Sequence, residues 1–350
     1  MGRTRFLAEI EDGAAVDRWQ DQRVPLAKGV EVRDGTFIEV EVRDAVAHPV
    51  AEPLAEPGSA LADLVSIAVN HDLDPVFPPE VREELAQILA APGLHEPGLE
   101  DLGEVPFVTI DNQGSRDLDQ ALAIERFGKG YRVRYALADA SYYVRPGTAL
   151  FDEALRRGAS YYLPGWMVPM LPRPLSEGLV SLNADVPRRA LVFDMVLDAD
   201  GACTATTCSR ARIRSRAKLT YEGVQAFLDA PDGHALAGQP FAESLRLLRV
   251  VGEQRIADAH ARDVVPHRQR SVEVGLADRH SFVIYGALRN DTERYNEQIS
   301  LLCNAEGARQ IRAAGAEAFV QPIFRVHPAP PPDRVQRFYE TIEGIATQRG

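Results

Sequence analysis

The chain has 350 residues, of which 45% are hydrophobic and 26% are charged, a composition typical of a folded soluble protein. Its formal net charge of −12 excludes a broad basic surface, so we expect any nucleic acid to bind in a local positive channel. No apolar run reaches the roughly 18 residues of a membrane span, and three cysteines without paired spacing argue against a zinc site or a disulfide framework. We therefore expect a cytoplasmic protein that has no membrane partner.

Residues 1–60 have the pattern of a small separate accessory module. The run from Gly29 to Asp44 places an Asp-Gly pair between Val-rich segments, which predicts a hairpin. The segment from Ala47 to Ala60 is rich in Pro, Ala and Glu and predicts a linker. No aromatic ladder of the kind that a single-strand-binding barrel needs precedes this linker. We expect a different fold here, with a winged helix as one alternative.

The rest of the chain mixes strand and helix patterns. Apolar spacing predicts two helices between Leu61 and Ala91, and strand patterns begin at Val105. Four prolines between Ser160 and Asn183 exclude a long helix or a central strand there. Because this irregular stretch is also apolar, we expect it to form a buried belt or the wall of a pocket. Later helices are predicted over Phe241–Arg262 and Asn296–Gly315.

Three carboxylates lie within nine residues in the stretch FVTIDNQGSRDLDQALAIE, at Asp111, Asp117 and Asp119. Carboxylates this close repel one another unless cations bind between them or water screens them. Oxygen ligands on a short loop suit a hard cation such as magnesium, manganese or calcium. A solvated acidic turn and a structural calcium loop are the alternatives, although the spacing lacks the central Gly and terminal Glu of a calcium loop.

A basic run recurs at every second position, at Arg210, Arg212, Arg214, Arg216 and Lys218. On a strand all five side chains point to one face, about 6.8 Å apart. A solvated basic face is one interpretation. In a protein of net charge −12, five aligned cations favour a polyanion or another acidic partner.

Four segments, in the same order, resemble the ribonuclease II family and its RNB catalytic domain. They are TIDNQGSRDLDQAL (109–122), the block from ALADASYYV through YLPG and PMLP to SLN (136–183), RAKLTYEGVQ (216–225) and NEQISLLCN (296–304). The resemblance runs from about residue 60 to the end of the chain. It implies an α+β fold, in which residues 61–350 form an RNB-type catalytic domain with a mixed or antiparallel sheet surrounded by helices.

The family's activity is implied with the fold. The resemblance implies a monomeric, Mg2+-dependent exoribonuclease that shortens single-stranded RNA from its 3′ end and releases nucleoside 5′-monophosphates. Two Mg2+ ions are expected in the reacting complex, with Mn2+ as the alternative metal. Two metals neutralise the charge of the phosphodiester and supply a deprotonated water.

Site residues are carried over position by position. The acids Asp111, Asp117 and Asp119 fall on catalytic, metal-holding residues, and Gln120 follows them in the metal site. The resemblance places Tyr162 where a tyrosine stacks on the terminal base, and Tyr221 and Glu297 near the ribose of the 3′ end, where they sense its 2′-OH. We expect the basic run to contact RNA phosphates. That run comprises Arg210, Arg212, Arg214, Arg216 and Lys218.

Two departures from the family pattern leave alternatives open. The family's acidic signature ends in two acids, whereas Asp119 is followed here by the neutral Gln120. One alternative is therefore an RNA-binding RNB-fold protein with weakened or no nuclease activity, and another is a non-nuclease with a structural cation. The chain ends at Gly350, before the family's arginine motif and RNA-binding barrel, so we expect an RNB domain that is incomplete at its C-terminus.

Overall fold

The computed structural model describes residues 2–262, 271–287, 289–315 and 329–349. Residues 1–300 form one compact unit and residues 301–350 form a second. Among the helices described, none combines the length and the apolar character that spanning a membrane would need.

Five short strands come first. They are β1 (Arg5–Glu11), β2 (Ala14–Asp17), β3 (Gln22–Pro25), β4 (Phe37–Arg43) and β5 (Val46–Pro49). They pair antiparallel in the order β3-β2-β1-β4-β5, and a parallel bridge between Leu26 and Ala47 joins the two edges. This is the strand order of a five-stranded OB-type barrel. Its interior is filled by the fully buried Phe6, Ile10 and Val40.

Several expectations for this module were wrong. It is an OB-type barrel rather than a different fold, and the predicted linker from Ala47 begins inside β5. Residues 2–59 contain strands and no helix, which rules out a winged helix. The predicted hairpin does not form around Asp34–Gly35, because residues 28–36 are a loop. The hairpin lies instead between β4 and β5, where Asp44 and Ala45 both have positive φ (50° and 61°), as a tight two-residue turn requires.

The remaining elements follow in chain order. They are α1 (Ala60–Asn70), α2 (Pro79–Ala90), β6 (Glu100–Leu102), β7 (Thr109–Asp111), β8 (Gln120–Phe127), β9 (Gly130–Ala138), α3 (Ala140–Tyr143), α4 (Ala149–Arg157), β10 (Tyr161–Leu163), β11 (Trp166–Val168), a π-helical turn (Pro174–Leu179), β12 (Pro187–Leu197), β13 (Cys203–Arg214), β14 (Lys218–Thr220), α5 (Tyr221–Asp229), α6 (Ala242–Ala261), β15 (Ser271–Leu276), β16 (Phe282–Ala287), α7 (Asp291–Ala314) and α8 (Pro332–Arg349). This mixture confirms the predicted α+β class.

A five-stranded sheet forms the centre of the larger fold, in the order β6-β13-β12-β9-β8. All its pairs are antiparallel except β13 with β6. One face packs around Phe107, Leu118, Leu182 and Val192, all at most 1% exposed. The loop that enters β8 is therefore tied to the core through Leu118.

The proline-rich stretch forms no long helix and no central strand, as predicted. It folds into the β10–β11 hairpin and the π-helical turn, with Leu171, Leu175 and Leu182 buried. The hairpin turn contains Gly165, whose φ of 66° favours glycine.

Arg157 at the end of α4 holds this stretch in place. Its guanidinium donates to the Glu153 carboxylate (2.7 Å) and to the carbonyls of Asp74 (2.7 Å), Val76 (3.1 Å) and Pro169 (3.1 Å). Only 5% of the Arg157 side chain is exposed. A guanidinium suits this role because its planar fork offers five donors.

Candidate active site

The acidic loop begins where β7 ends. β7 pairs in parallel with β14, which places Thr220 opposite Asp111. The Asp111 carboxylate accepts the Asn112 backbone N–H (2.7 Å) and the Ser115 hydroxyl (3.0 Å). The loop then returns through Asp117 and Asp119 to the start of β8, so its carboxylates lie beside the paired ends of β7 and β14.

The three carboxylates interact electrostatically. Asp119 is exposed at the surface, but protein atoms crowd its carboxylate on the inner side. This partial burial and the negative charges of Asp111 and Asp117 raise the pKa of Asp119 above its ordinary value. A bound cation would relieve the repulsion among the three groups.

Tyr162 stands beside the acidic loop. Its side chain is 68% exposed, whereas Tyr135 and Tyr143 are buried. The Tyr162 hydroxyl donates a hydrogen bond to the Asp117 carboxylate. That bond, partial burial and the charges of the three aspartates raise the pKa of Tyr162 to about 12. The ring is therefore open to solvent while its hydroxyl is held at the loop.

Tyr221 also lies near the acidic loop, because Thr220 before it pairs with Asp111. It begins α5, and Thr220 caps this helix by accepting the Gly223 N–H (3.1 Å). Burial raises the pKa of Tyr221, the Asn296 hydrogen bond lowers it, and the Asp111 charge raises it. The Asn296 side-chain amide donates to the Tyr221 hydroxyl at 3.2 Å.

Two residues near Tyr221 were missed by sequence reasoning. Asn296 is 5% exposed and orients the Tyr221 hydroxyl. Arg289 donates to the Glu297 carboxylate at 3.3 Å, which places a cation beside the predicted ribose-sensing acid. Asn296 directly precedes Glu297 in the segment that carries the family resemblance. That adjacency was the only feature of the sequence that could have pointed to Asn296.

Gln120 does not join the three acids in this structure. Its side-chain oxygen accepts the hydroxyl of the buried Tyr135, across the β8–β9 pair. Consecutive side chains in extended backbone point to opposite sides, so Gln120 turns away from the side that Asp119 faces. Its role as a metal ligand stays a prediction.

The basic run differs from the prediction of one strand with five aligned cations. β13 ends at Arg214, Arg216 lies in a bend, and Lys218 belongs to β14 in another sheet. The alternation holds within β13, where Ala211 and Ile213 are buried between the arginines. The prediction was therefore wrong for the last two cations, because the chain leaves the central sheet after Arg214.

Most of these cations have partners within the protein. Their contacts are Arg210 with Asp139 (3.2 Å), Arg212 with Asp101 (2.6 Å), Arg216 with Glu104 (3.4 Å) and Lys218 with the Ser115 carbonyl. Within the described part of the chain, the Arg214 side chain makes no hydrogen bond or ion pair, although its backbone lies in the β12–β13 ladder. Neighbouring acids thus neutralise several of these cations, which weakens the argument from their mutual repulsion, and their contact with RNA stays a prediction.

The donor chemistry of the loop fits a hard divalent cation. It offers carboxylate oxygens of the kind that Mg2+ and Mn2+ prefer. In residues 2–262, 271–287, 289–315 and 329–349, no group of three or more His, Cys, Asp or Glu side chains converges closely enough to hold a metal ion. The carboxylates are neighbours that repel one another, and they do not form a preassembled ligand cage.

The acidic loop and the exposed Tyr162 both lie in the part of the chain that matches a known family. The family model described as the RNB domain matches residues 99–349, and the chain belongs to this family. The resemblance to the ribonuclease II family is thereby confirmed.

Curated relatives carry ribonuclease names. The chain is 29% identical over 338 residues to Ribonuclease R of Vibrio parahaemolyticus, covering 94% of this chain and 40% of the relative. It is 33% identical over 292 residues to Ribonuclease R of Escherichia coli, covering 81% of this chain and 35% of that relative. The chain thus spans well under half of the length of these relatives.

A solved structure shares the fold. The apo form of Mycoplasma genitalium RNase R superposes with a TM-score of 0.75 at 20% identity, covering 98% of this chain and 56% of that chain. Because the alignment reaches into residues 1–98, the likeness extends beyond the matched RNB domain.

Proposed function

We propose that this chain carries the catalytic site of a 3′→5′ exoribonuclease that shortens single-stranded RNA to nucleoside 5′-monophosphates with Mg2+. The observation that carries the proposal is the exposed Tyr162 ring, tied by its hydroxyl to the loop that bears three carboxylates. The names of the curated relatives support the same activity. The M. genitalium RNase R also has a structure in complex with ribose methylated single-stranded RNA.

In the proposed site, three side chains hold the 3′ end of the RNA: Tyr162, Tyr221 and Glu297. The open face of Tyr162 stacks on the last base, an interaction worth about 1–3 kcal/mol per base. The Tyr221 hydroxyl accepts the Asn296 amide, which leaves the phenolic proton available to an acceptor on the ligand. A ribose 2′-OH offers such an acceptor, and Glu297 accepts a hydrogen bond in return.

The acidic loop is the metal-binding part of the proposed catalytic site. Asp111, Asp117 and Asp119 would hold the cations, with Mg2+ favoured over Mn2+ and two ions in the reacting complex. Bound Mg2+ supplies charge neutralisation at the phosphodiester and a deprotonated water. The protein's own contribution is to keep the three carboxylates adjacent and to hold the RNA end against Tyr162.

The remaining assignments follow from the same proposal. Residues 1–60 are an accessory barrel, and residues 61–350 carry the RNB catalytic domain. Arg214 and Lys218 contact RNA phosphates, since Arg214 is uncommitted within the described residues and Lys218 reaches the acidic loop. The protein acts in the cytoplasm as a monomer, and single-stranded RNA is its partner.

A second candidate function is RNA binding without cleavage. The observation that favours it is Gln120, which is neutral and already bonded to Tyr135 where the family carries an additional acid. Loss of one carboxylate weakens the attraction for a divalent cation.

One assay separates these functions. Single-stranded RNA labelled at its 5′ end is incubated with Mg2+ and the wild-type chain, and RNA binding is measured in parallel at low salt. Stepwise 3′ shortening that is lost in Asp119→Asn, but kept in Asp63→Asn on the exposed face of α1, supports the exoribonuclease. Binding without shortening supports the second function, and the absence of both contradicts the two.

A further inference from the structure

Ser181 is buried against the acidic loop. Its side chain is enclosed (1% exposed), and its hydroxyl makes two hydrogen bonds to the loop backbone. The hydroxyl accepts the Leu118 N–H at 2.9 Å and donates to the Arg116 carbonyl at 2.8 Å. The next residue adds a third bond, from the Leu182 N–H to the Leu118 carbonyl at 2.7 Å.

The segment that carries Ser181 is itself fixed to the central sheet. Arg188 at the start of β12 donates to the Ser181 carbonyl (2.9 Å) and to the Gly178 carbonyl (3.0 Å). Asn183 donates to the Glu177 carbonyl at 2.9 Å and so closes the same turn. A continuous chain of hydrogen bonds therefore runs from the sheet through Ser181 to the backbone of the acidic loop.

Leu118 lies between two of the three acids. Its side chain is buried in the sheet core, whereas Asp117 and Asp119 on either side reach the surface. Fixing both the N–H and the carbonyl of Leu118 therefore sets where the flanking carboxylates emerge. Ligand positions must be held within fractions of an ångström for metal binding, which a loop without such support does not achieve.

We propose that Ser181 is a positioning residue that sets the spacing of Asp117 and Asp119 for a divalent cation, an inference that rests on the proposed function. Ser181 touches neither RNA nor metal in this role and acts through the backbone of Leu118. Supporting residues of this kind change metal affinity or activity by roughly 10- to 100-fold when they are removed.

Ser244 on α6 provides a matched control. It is also buried (4% exposed), and its hydroxyl accepts the backbone N–H of Ile124 at 2.8 Å. Both serines hold a backbone N–H in or next to β8, but Ile124 lies in the body of the strand, away from the acids. Ser244→Ala therefore reproduces the loss of a buried hydrogen bond without disturbing the acidic loop.

The test measures Mn2+ binding by calorimetry in the wild-type chain, Ser181→Ala and Ser244→Ala. We expect Ser181→Ala to bind Mn2+ roughly 10- to 100-fold more weakly, and Ser244→Ala to stay within about twofold of the wild type. In the RNA-shortening assay, Ser181→Ala should lower kcat by a similar factor and leave KM for RNA nearly unchanged.

The two readouts separate the two claims. If Ser181→Ala binds Mn2+ as tightly as the wild type, or Ser244→Ala loses as much affinity, Ser181 has no positioning role. If the wild type binds Mn2+ without shortening RNA, the exoribonuclease proposal fails while the Mn2+ comparison still decides on Ser181. A wild type that binds no Mn2+ overturns the role of Ser181 directly.

Discussion

Replacing Tyr162 tests how the RNA end is held. Because the ring is 68% exposed, Tyr162→Ala removes little packing and should change the free energy of unfolding by less than about 0.5 kcal/mol. Stacking of one base on an aromatic ring contributes about 1–3 kcal/mol. We therefore expect the affinity for single-stranded RNA to fall about 5- to 150-fold.

The assay is fluorescence anisotropy of a labelled single-stranded RNA, with metal omitted so that no cleavage occurs. Tyr162→Phe keeps the ring and loses only the hydrogen bond to Asp117. It should bind RNA within about twofold of the wild type, since an exposed hydrogen bond contributes little net free energy. The pair of variants thus separates stacking from hydrogen bonding.

Tyr161 is the matched control. It precedes Tyr162 in β10, is 40% exposed and points to the opposite side of the hairpin. Tyr161→Ala should leave RNA affinity unchanged. Equal losses in Tyr161→Ala and Tyr162→Ala, or an unchanged affinity in Tyr162→Ala, would refute the stacking role.

Three further predictions concern stability and the flanking residues. Arg157→Ala should lower the free energy of unfolding in urea by about 3 kcal/mol or more, because three carbonyls lose their donor and Glu153 keeps only Arg156 as its partner. Arg156→Ala, at a side chain 52% exposed, should cost about 1 kcal/mol or less, and equal costs for the two variants would contradict the anchoring role of Arg157. Gln120→Asp should preserve or raise Mg2+-dependent RNA shortening. A large loss of this activity would mean that the Gln120 side chain has a function that Asp does not replace. Arg214→Ala should weaken RNA binding and reduce the slope of the logarithm of the binding constant against the logarithm of the salt concentration by about one. Arg212→Ala should have a smaller effect, because Arg212 is paired with Asp101. A larger effect for Arg212→Ala than for Arg214→Ala would exclude the contact of Arg214 with a phosphate.

Local patterns in the sequence predicted the parts of the fold that depend on neighbouring residues. Strands formed after Val105 as expected, and β8 and β9 pair across a short turn that contains Gly128. The barrel could not be predicted, because its closure depends on the bridge between Leu26 and Ala47 and on strand pairs distant in sequence.

The contacts within the candidate site also join residues that are distant in sequence. Tyr162 and Asp117 are 45 positions apart in sequence and are joined in the structure by a hydrogen bond that no local pattern predicts. The partners of the basic run were not predictable, since Asp101 is 111 positions from Arg212. Asn296 was missed for the same reason, because it lies 75 positions from Tyr221 and contacts it only after folding.

The most direct measurement is anomalous diffraction from a crystal of the chain grown with Mn2+ and a short single-stranded RNA. We expect a manganese peak at the carboxylate oxygens of Asp117 and Asp119, with the last base of the RNA stacked on Tyr162. Bound RNA without manganese at these acids, or manganese at a site remote from Tyr162, would contradict this expectation.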